Sequence, residues 1–166
     1  MTKMFRSSSS LISLDLSSFD TRNVINMTSM FSNCKSLKSL NVSNFNTSNV
    51  NYMSNMFRKC INLTSIDLSN FNTNNLETAS SMFEECKELT SIDLSSFMDT
   101  KLKNISNIFF NCPSLKYIDI SSIKWNNKKK VNISNFLAES GQLIITENLL
   151  SSLDTKPKDN WEIINK

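Results

Sequence analysis

Phe5, Phe31, Phe57, Phe83 and Phe109 stand 26 residues apart, and whole columns of other residues keep the same interval. Leu11, Leu37, Leu63, Leu89 and Leu115 form one column. Leu14, Leu40, Ile66, Ile92 and Ile118 form another, and Leu16, Val42, Leu68, Leu94 and Ile120 a third. Phe19, Phe45, Phe71, Phe97 and Ile123 follow, and Cys34, Cys60, Cys86 and Cys112 make a further column with Ser8 in its first place. No insertion breaks the register from Phe5 to Ile123. A repeat that keeps its length this strictly stacks each unit on the last in one geometry, and the units share one continuous core.

Each unit has two halves. In "LISLDLS" (11–17), Leu14 and Leu16 point one way while Ser13, Asp15 and Ser17 point the other, the period of a half-buried strand. A strand that returns in the same sense in every unit pairs in parallel and needs a crossover. In "TSNVNYMSNMFRKC" (47–60), Val50, Met53, Met56, Phe57 and Cys60 lie at steps of 3, 3, 1 and 3, which trace one face of a helix. The column Thr21, Thr47, Thr73 and Asp99 just ahead of that face holds helix-capping residue types. The expected fold is α/β, with a parallel sheet on one face of the stack and short helices on the other. The methionines of the helical face fall in register with the strand leucines. They read as core packing rather than as a flexible binding surface.

Residues 1–136 hold about five such units, the first of them incomplete. The chain opens in what would be the last turn of a crossover helix, at Met4-Phe5. A longer parent protein or another covering segment is expected at that end. The pattern decays after Ile123. Trp125 replaces the capping column, Lys128-Lys129-Lys130 reads as a solvated turn, and "VNISNFL" reads as a degenerate helix. "QLIIT" is a final strand displaced by one residue from the frame. Residues 137–166 read as a C-terminal capping segment, with Leu149, Leu150, Leu153, Trp161 and Ile163 covering the apolar flank of the last unit.

Two absences narrow the chemistry. The chain has no histidine, and Gly141 is its single glycine. Ser-His-Asp and Cys-His mechanisms and His-ligated metals are therefore excluded. So are the glycine-rich loops that cradle nucleotide phosphates. The net charge of +3 is spread along the chain and does not point to nucleic acid. No run of about 18 apolar residues exists to span a bilayer, and "MTKMFRSSSS" has no secretory apolar core.

The cysteines come singly, one per unit, whereas zinc sites draw ligands in close pairs. Placed on packed helices they would stand about 8–10 Å apart, beyond the Cα reach of about 7 Å for a disulfide. They read as small buried hydrophobes. Asp15, Asn41, Asp67, Asp93 and Asp119 form a ladder on the exposed strand face, at the strand spacing of about 4.8 Å. Three readings of it stand together. The carboxylates accept bonds from serines and turn amides; or they form a concave face for a basic or polar partner; or they hold cations. Glycoside hydrolysis needs two carboxylates about 5–10 Å apart with separated pKa values. A flat, solvated ladder does not supply that, so neither catalysis nor a cofactor is expected.

"LxxLxL" followed by a crossover resembles the core of a leucine-rich repeat. The fuller frame "LTSIDLSNFNTNNLETASSMFEECKEL" (63–89) resembles the BspA-like leucine-rich-repeat surface proteins, over residues 4 to about 123. That resemblance implies a solenoid displayed at the cell surface or secreted, used in adhesion or in binding host or extracellular-matrix proteins, with no direct membrane insertion. The expected binding face is the strand face. It comprises the ladder Asp15, Asn41, Asp67, Asp93 and Asp119, the variable positions Ile12, Lys38, Thr64, Thr90 and Lys116, and Tyr117 in the serine column. The competing expectation is a passive spacer that holds another domain, since near-identical units suit that role.

Overall fold

The structure, a computed structural model, describes residues 1–98 and 101–123 and the strands Gly141–Ile145 and Trp161–Asn165. The 26-residue stacking is written directly into its hydrogen bonds. Met27, Ser29, Phe31 and Asn33 donate their amides to the carbonyls of Tyr52, Ser54, Met56 and Arg58. Met53, Asn55, Phe57 and Lys59 repeat the pattern onto Thr78, Ser80, Met82 and Glu84, and Ala79, Ser81, Phe83 and Glu85 onto Asn104, Ser106, Ile108 and Phe110. Inside, the Phe5–Phe31–Phe57–Phe83–Phe109 rings stack at centroid distances of 5.4, 5.7, 5.5 and 5.9 Å. The planes of successive rings lie within 14° of parallel. Leu, Met, Cys and Phe columns bury around this ladder in one cluster.

The expected leucine-rich-repeat solenoid of strands and helices does not form. No helix occurs among the described residues. The crossover is instead a chain of overlapping turns. Met30, Ser32 and Cys34 donate to the carbonyls of Met27, Ser29 and Phe31 three residues back, while the intervening amides go to the next unit. Two residues per unit take positive φ to make these turns: Ser29 (57°) and Asn33 (65°), then Asn55 and Lys59, both at 60°. A helix would direct its amides within the unit and separate neighbouring units by about 8–10 Å. The turn chain splits the donors and lets units approach at the spacing of the Phe ladder. It still turns Val50, Met53, Met56, Phe57 and Cys60 inward, so the apolar spacing fits both backbones. The polar residues before and between them (Ser48, Asn49, Asn51, Ser54, Asn55) are weak helix formers that favour turns.

The strand half is also shorter than its alternation suggests. Among the described residues of the repeats, strands form only at β1 (Ser91–Asp93) and β2 (Tyr117–Asp119). They pair in parallel, Ile92 opposite Ile118. β3 (Gly141–Ile145) and β4 (Trp161–Asn165) extend the same parallel sheet in the order β1-β2-β3-β4. Ile118 lies opposite Leu143, 25 residues on, which is the one-residue displacement expected of "QLIIT". In earlier units the ladder is sparser. Thr64 donates to Lys38 O at 3.3 Å, Thr90 to Thr64 O at 3.2 Å and Lys116 to Thr90 O at 2.9 Å. Beyond the aspartate position the chain turns in every unit, Phe19, Phe45, Phe71, Phe97 and Ile123 donating to Leu16, Val42, Leu68, Leu94 and Ile120. The expectations for Trp125, Lys128–Lys130, "VNISNFL", Leu149, Leu150 and Leu153 lie outside the described residues.

Candidate functional site

The strand face is built from three columns that are exposed except at Tyr117 and Asp119. The aspartate column does structural work that its residue type fits. Oδ1 of Asp15, Asn41, Asp67, Asp93 and Asp119 accepts the amide of the serine two residues on, at 2.9, 3.0, 2.9, 2.7 and 2.9 Å. These are Asx turns, which bend the chain out of the strand. Bonds from the backbone and hydroxyl of Ser17 hold the Asp15 carboxyl below its usual range, and bonds from the hydroxyl and backbone of Ser69 do the same for Asp67. The serine-bonding reading of the ladder is therefore present at every rung. Asp15, Asn41, Asp67 and Asp93 remain exposed, while Asp119 is buried and also accepts the Ser121 hydroxyl at 2.6 Å. Ile12, Lys38, Thr64, Thr90 and Lys116 are all exposed, and Tyr117 is half-buried. Among the described residues no group of His, Cys, Asp and Glu is arranged to hold a metal ion.

The threonines of the capping column prove to be staples between units, while Asp99 lies outside the described residues. Thr21 Oγ1 donates to Asn46 O at 3.0 Å and accepts Asn46 N at 2.8 Å; Thr47 Oγ1 donates to Asn72 O at 2.9 Å. Both threonines are buried. With no helix to cap, their hydroxyls satisfy backbone groups at the turn of the next unit. Asn44 and Asn70 act similarly, their side-chain amides donating to Leu16 O at 2.8 Å and Ser43 O at 2.9 Å.

The cysteines are buried and unpaired by disulfides, but they are more than small hydrophobes. The thiols of Cys34, Cys60, Cys86 and Cys112 donate to the carbonyls of Phe5, Phe31, Phe57 and Phe83 at 3.0–3.2 Å. Each of these bonds crosses one interface. Burial pushes the Cys60 and Cys112 thiols up to about 12 and holds Cys86 well above its usual range. The separation expected from packed helices has no counterpart here, because no helix occurs among the described residues; the thiols are instead set apart by burial and by the bond each makes to a Phe carbonyl.

A second surface was not anticipated. Asn23, Ile25, Asn49, Asn51 and Asn75 line an open depression of about 460 Å³ on another side of the stack. Asn49 and Asn75 are fixed by donating to Arg22 O and Ser48 O, each at 2.8 Å, and Asn75 accepts from Lys101 at 2.7 Å. The 26-residue recurrence of Asn23, Asn49 and Asn75 was the available signal. It was hidden by the abundance of asparagine throughout the chain. Charge gathers on the turn chain and beside this depression: Arg58 pairs with Glu84 at 2.8 Å across one interface, and Lys103 pairs with Glu77 across another.

The same frame of columns decides the family. A family model described as a Mycoplasma protein of unknown function, DUF285, matches residues 1–123 and 41–149. The chain belongs to this family. DUF285 is a Mycoplasma-type repeat family related to BspA-like surface repeats, so the broad expectation of a repeat surface family stands. No curated protein and no solved structure matches the chain.

Proposed function

We propose that this DUF285 stack is a non-catalytic protein-binding module. In this reading it is the repeat region of a BspA-like adhesin, displayed at the cell surface or secreted, that presents its strand face to a host or extracellular-matrix protein. The supporting observation is the exposed column Ile12, Lys38, Thr64, Thr90 and Lys116. Its character changes from unit to unit while the columns beneath it stay apolar and buried. Nothing in the packing requires that variation, and a surface read by a partner does. Alternating lysine, hydroxyl and carboxylate groups along one face suit a polar partner with charges of both signs.

The test is binding to a panel of immobilised extracellular-matrix proteins. Lys38→Glu with Lys116→Glu should weaken any observed binding at least tenfold and leave the melting temperature unchanged. Asp67→Asn with Asp93→Asn isolates the carboxylate charge, because Asn41 already makes the same Asx bond. If both pairs of variants bind as the native chain does, the strand face is not the binding surface. The uniform interfaces favour a second reading, a passive spacer. That reading is left standing if the native chain binds nothing on the panel.

A further inference from the structure

Away from the strand face, the repeat sets side-chain amides in a row. Asn23, Asn49 and Asn75 recur at the 26-residue interval, and with Ile25 and Asn51 they line the open depression of about 460 Å³. Small-ligand sites commonly enclose about 300–1,000 Å³. Asn49 and Asn51 have a unit on either side of them and still line the depression, so its openness belongs to this side of the stack and not to an end. Beside the row, Asn26, Tyr52, Thr78 and Asn104 bridge in parallel from unit to unit. Backbones joined in this way stand about 4.8 Å apart, which sets the spacing of the rungs.

These amides are partly engaged and partly free. Asn49 and Asn75 each donate one N–H to a carbonyl of the unit before, Arg22 O and Ser48 O, and Asn51 reaches the Glu77 carboxylate at 3.5 Å. The Asn75 side-chain oxygen accepts from Lys101. The side-chain oxygens of Asn49 and Asn51, and the second N–H of all three amides, have no partner among the described residues. Stapling accounts for Asn49 and Asn75, as it does for Asn44 and Asn70. It does not account for Asn51, whose side chain bonds no backbone group among the described residues. The lining carries no formal charge. Exposed carbon lies in it and next to it: Ile25 is 58% exposed, and Tyr52, the residue after Asn51, is 37% exposed.

We propose that this depression binds a neutral, extended oligosaccharide, laid along the stack with one sugar ring per unit. The site is separate from the strand face. Sugar hydroxyls both donate and accept, and so does each amide. A pyranose chain linked equatorially through opposite ends of each ring advances per ring by about the spacing of the rungs. Successive rings of such a chain turn over, and an amide can answer either edge, whereas a carboxylate only accepts and an ammonium only donates. The C–H faces of the rings pack against Ile25 and Tyr52. Because Asn49 and Asn75 are already held by the neighbouring carbonyls, little side-chain freedom is lost on binding.

The probes are cellotriose and chitotriose, each compared with its monosaccharide, titrated into the isotope-labelled full chain and followed by NMR. Maltotriose, whose axial links coil the chain, is the control. For at least one of the two trisaccharides, the side-chain amide signals of Asn49, Asn51 and Asn75 should shift saturably, with affinity at least tenfold above that of the monosaccharide and of maltotriose. Added salt should leave it unchanged, since a neutral ligand is not screened. Asn51→Ala should weaken binding at least tenfold without moving the melting temperature. Lys38→Glu with Lys116→Glu should leave it intact, so that failure here and failure of the strand-face reading are told apart. Absence of saturable shifts with both trisaccharides overturns the proposal, and so do shifts that spare these three amides. Binding that survives Asn51→Ala, collapses in high salt or is matched by maltotriose overturns it too. A matrix protein whose binding is lost in Asn51→Ala, with neither trisaccharide bound, would give the depression to a protein and overturn it equally.

Discussion

Cys60 illustrates how one side chain closes an interface. Phe31 O accepts the Cys34 amide from its own unit and the Cys60 thiol from the next, so both of its lone pairs are used in a dry environment. The residue type could be read from the repeating column; the donor role could not, because it depends on which carbonyl of the neighbouring unit lies opposite. Asp67 divides the same way. Its exposure followed from strand alternation, and serine bonding was among the open readings of its column. The choice of the Ser69 amide as donor required the turn that follows it. The thiols give the prediction at this scale. Titration of the native protein with a thiol reagent should find no readily reactive cysteine, since the thiolate is the nucleophile and burial disfavours it. All four should react in denaturant, and on partial unfolding Cys34, at the first interface, should react before Cys86. Four readily reactive thiols in the native state would rule out the buried donor role.

The turn chain is the element that sequence periodicity misassigned. Steps of 3, 3, 1 and 3 report which residues face inward, and successive three-residue turns turn the same residues inward as a helix does. The distinction lies in the residues between. Positive φ recurs at Lys3, Ser29, Asn55, Ser81 and Asn107, and at Ser7, Asn33, Lys59, Glu85 and Asn111. Four of these ten are asparagine, the non-glycine residue that tolerates this region best. In a chain with one glycine those asparagines were the available sign of a turn, and a general excess of asparagine concealed it. Asn55 tests the assignment. Asn55→Val places a β-branched residue at positive φ and should cost about 1–3 kcal/mol. Asn55→Gly should be close to neutral, relief of strain being offset by the larger entropy of glycine when unfolded. A helix would give the reverse order, with glycine the worse of the two. Chemical denaturation of the two variants therefore discriminates the backbones directly.

At the scale of the whole molecule the stack is a chain of similar interfaces, and its stability is governed by neighbours. Each interior Phe ring touches two others, as Phe57 touches Phe31 and Phe83. Phe5 stacks on Phe31 and reaches across its own unit to Phe19 at 6.0 Å. The stacking was legible from the constant period; the close spacing was not, because it depends on the absence of helices. Phe57→Ala should cost about 3–5 kcal/mol, the range for removing a fully buried phenylalanine. Phe5→Ala should cost about 1–2 kcal/mol, since the ring is partly exposed and belongs to one interface. Hydrogen exchange separates a local from a global effect. In Phe57→Ala, faster exchange is expected at Ser29, Phe31 and Asn33 and at Asn55, Phe57 and Lys59, the donors of the two interfaces the ring joins. In Phe5→Ala it should be confined to Lys3, Phe5 and Ser7. If both variants instead speed every protected amide by one common factor, the units unfold as a single cooperative block and the neighbour-by-neighbour description fails.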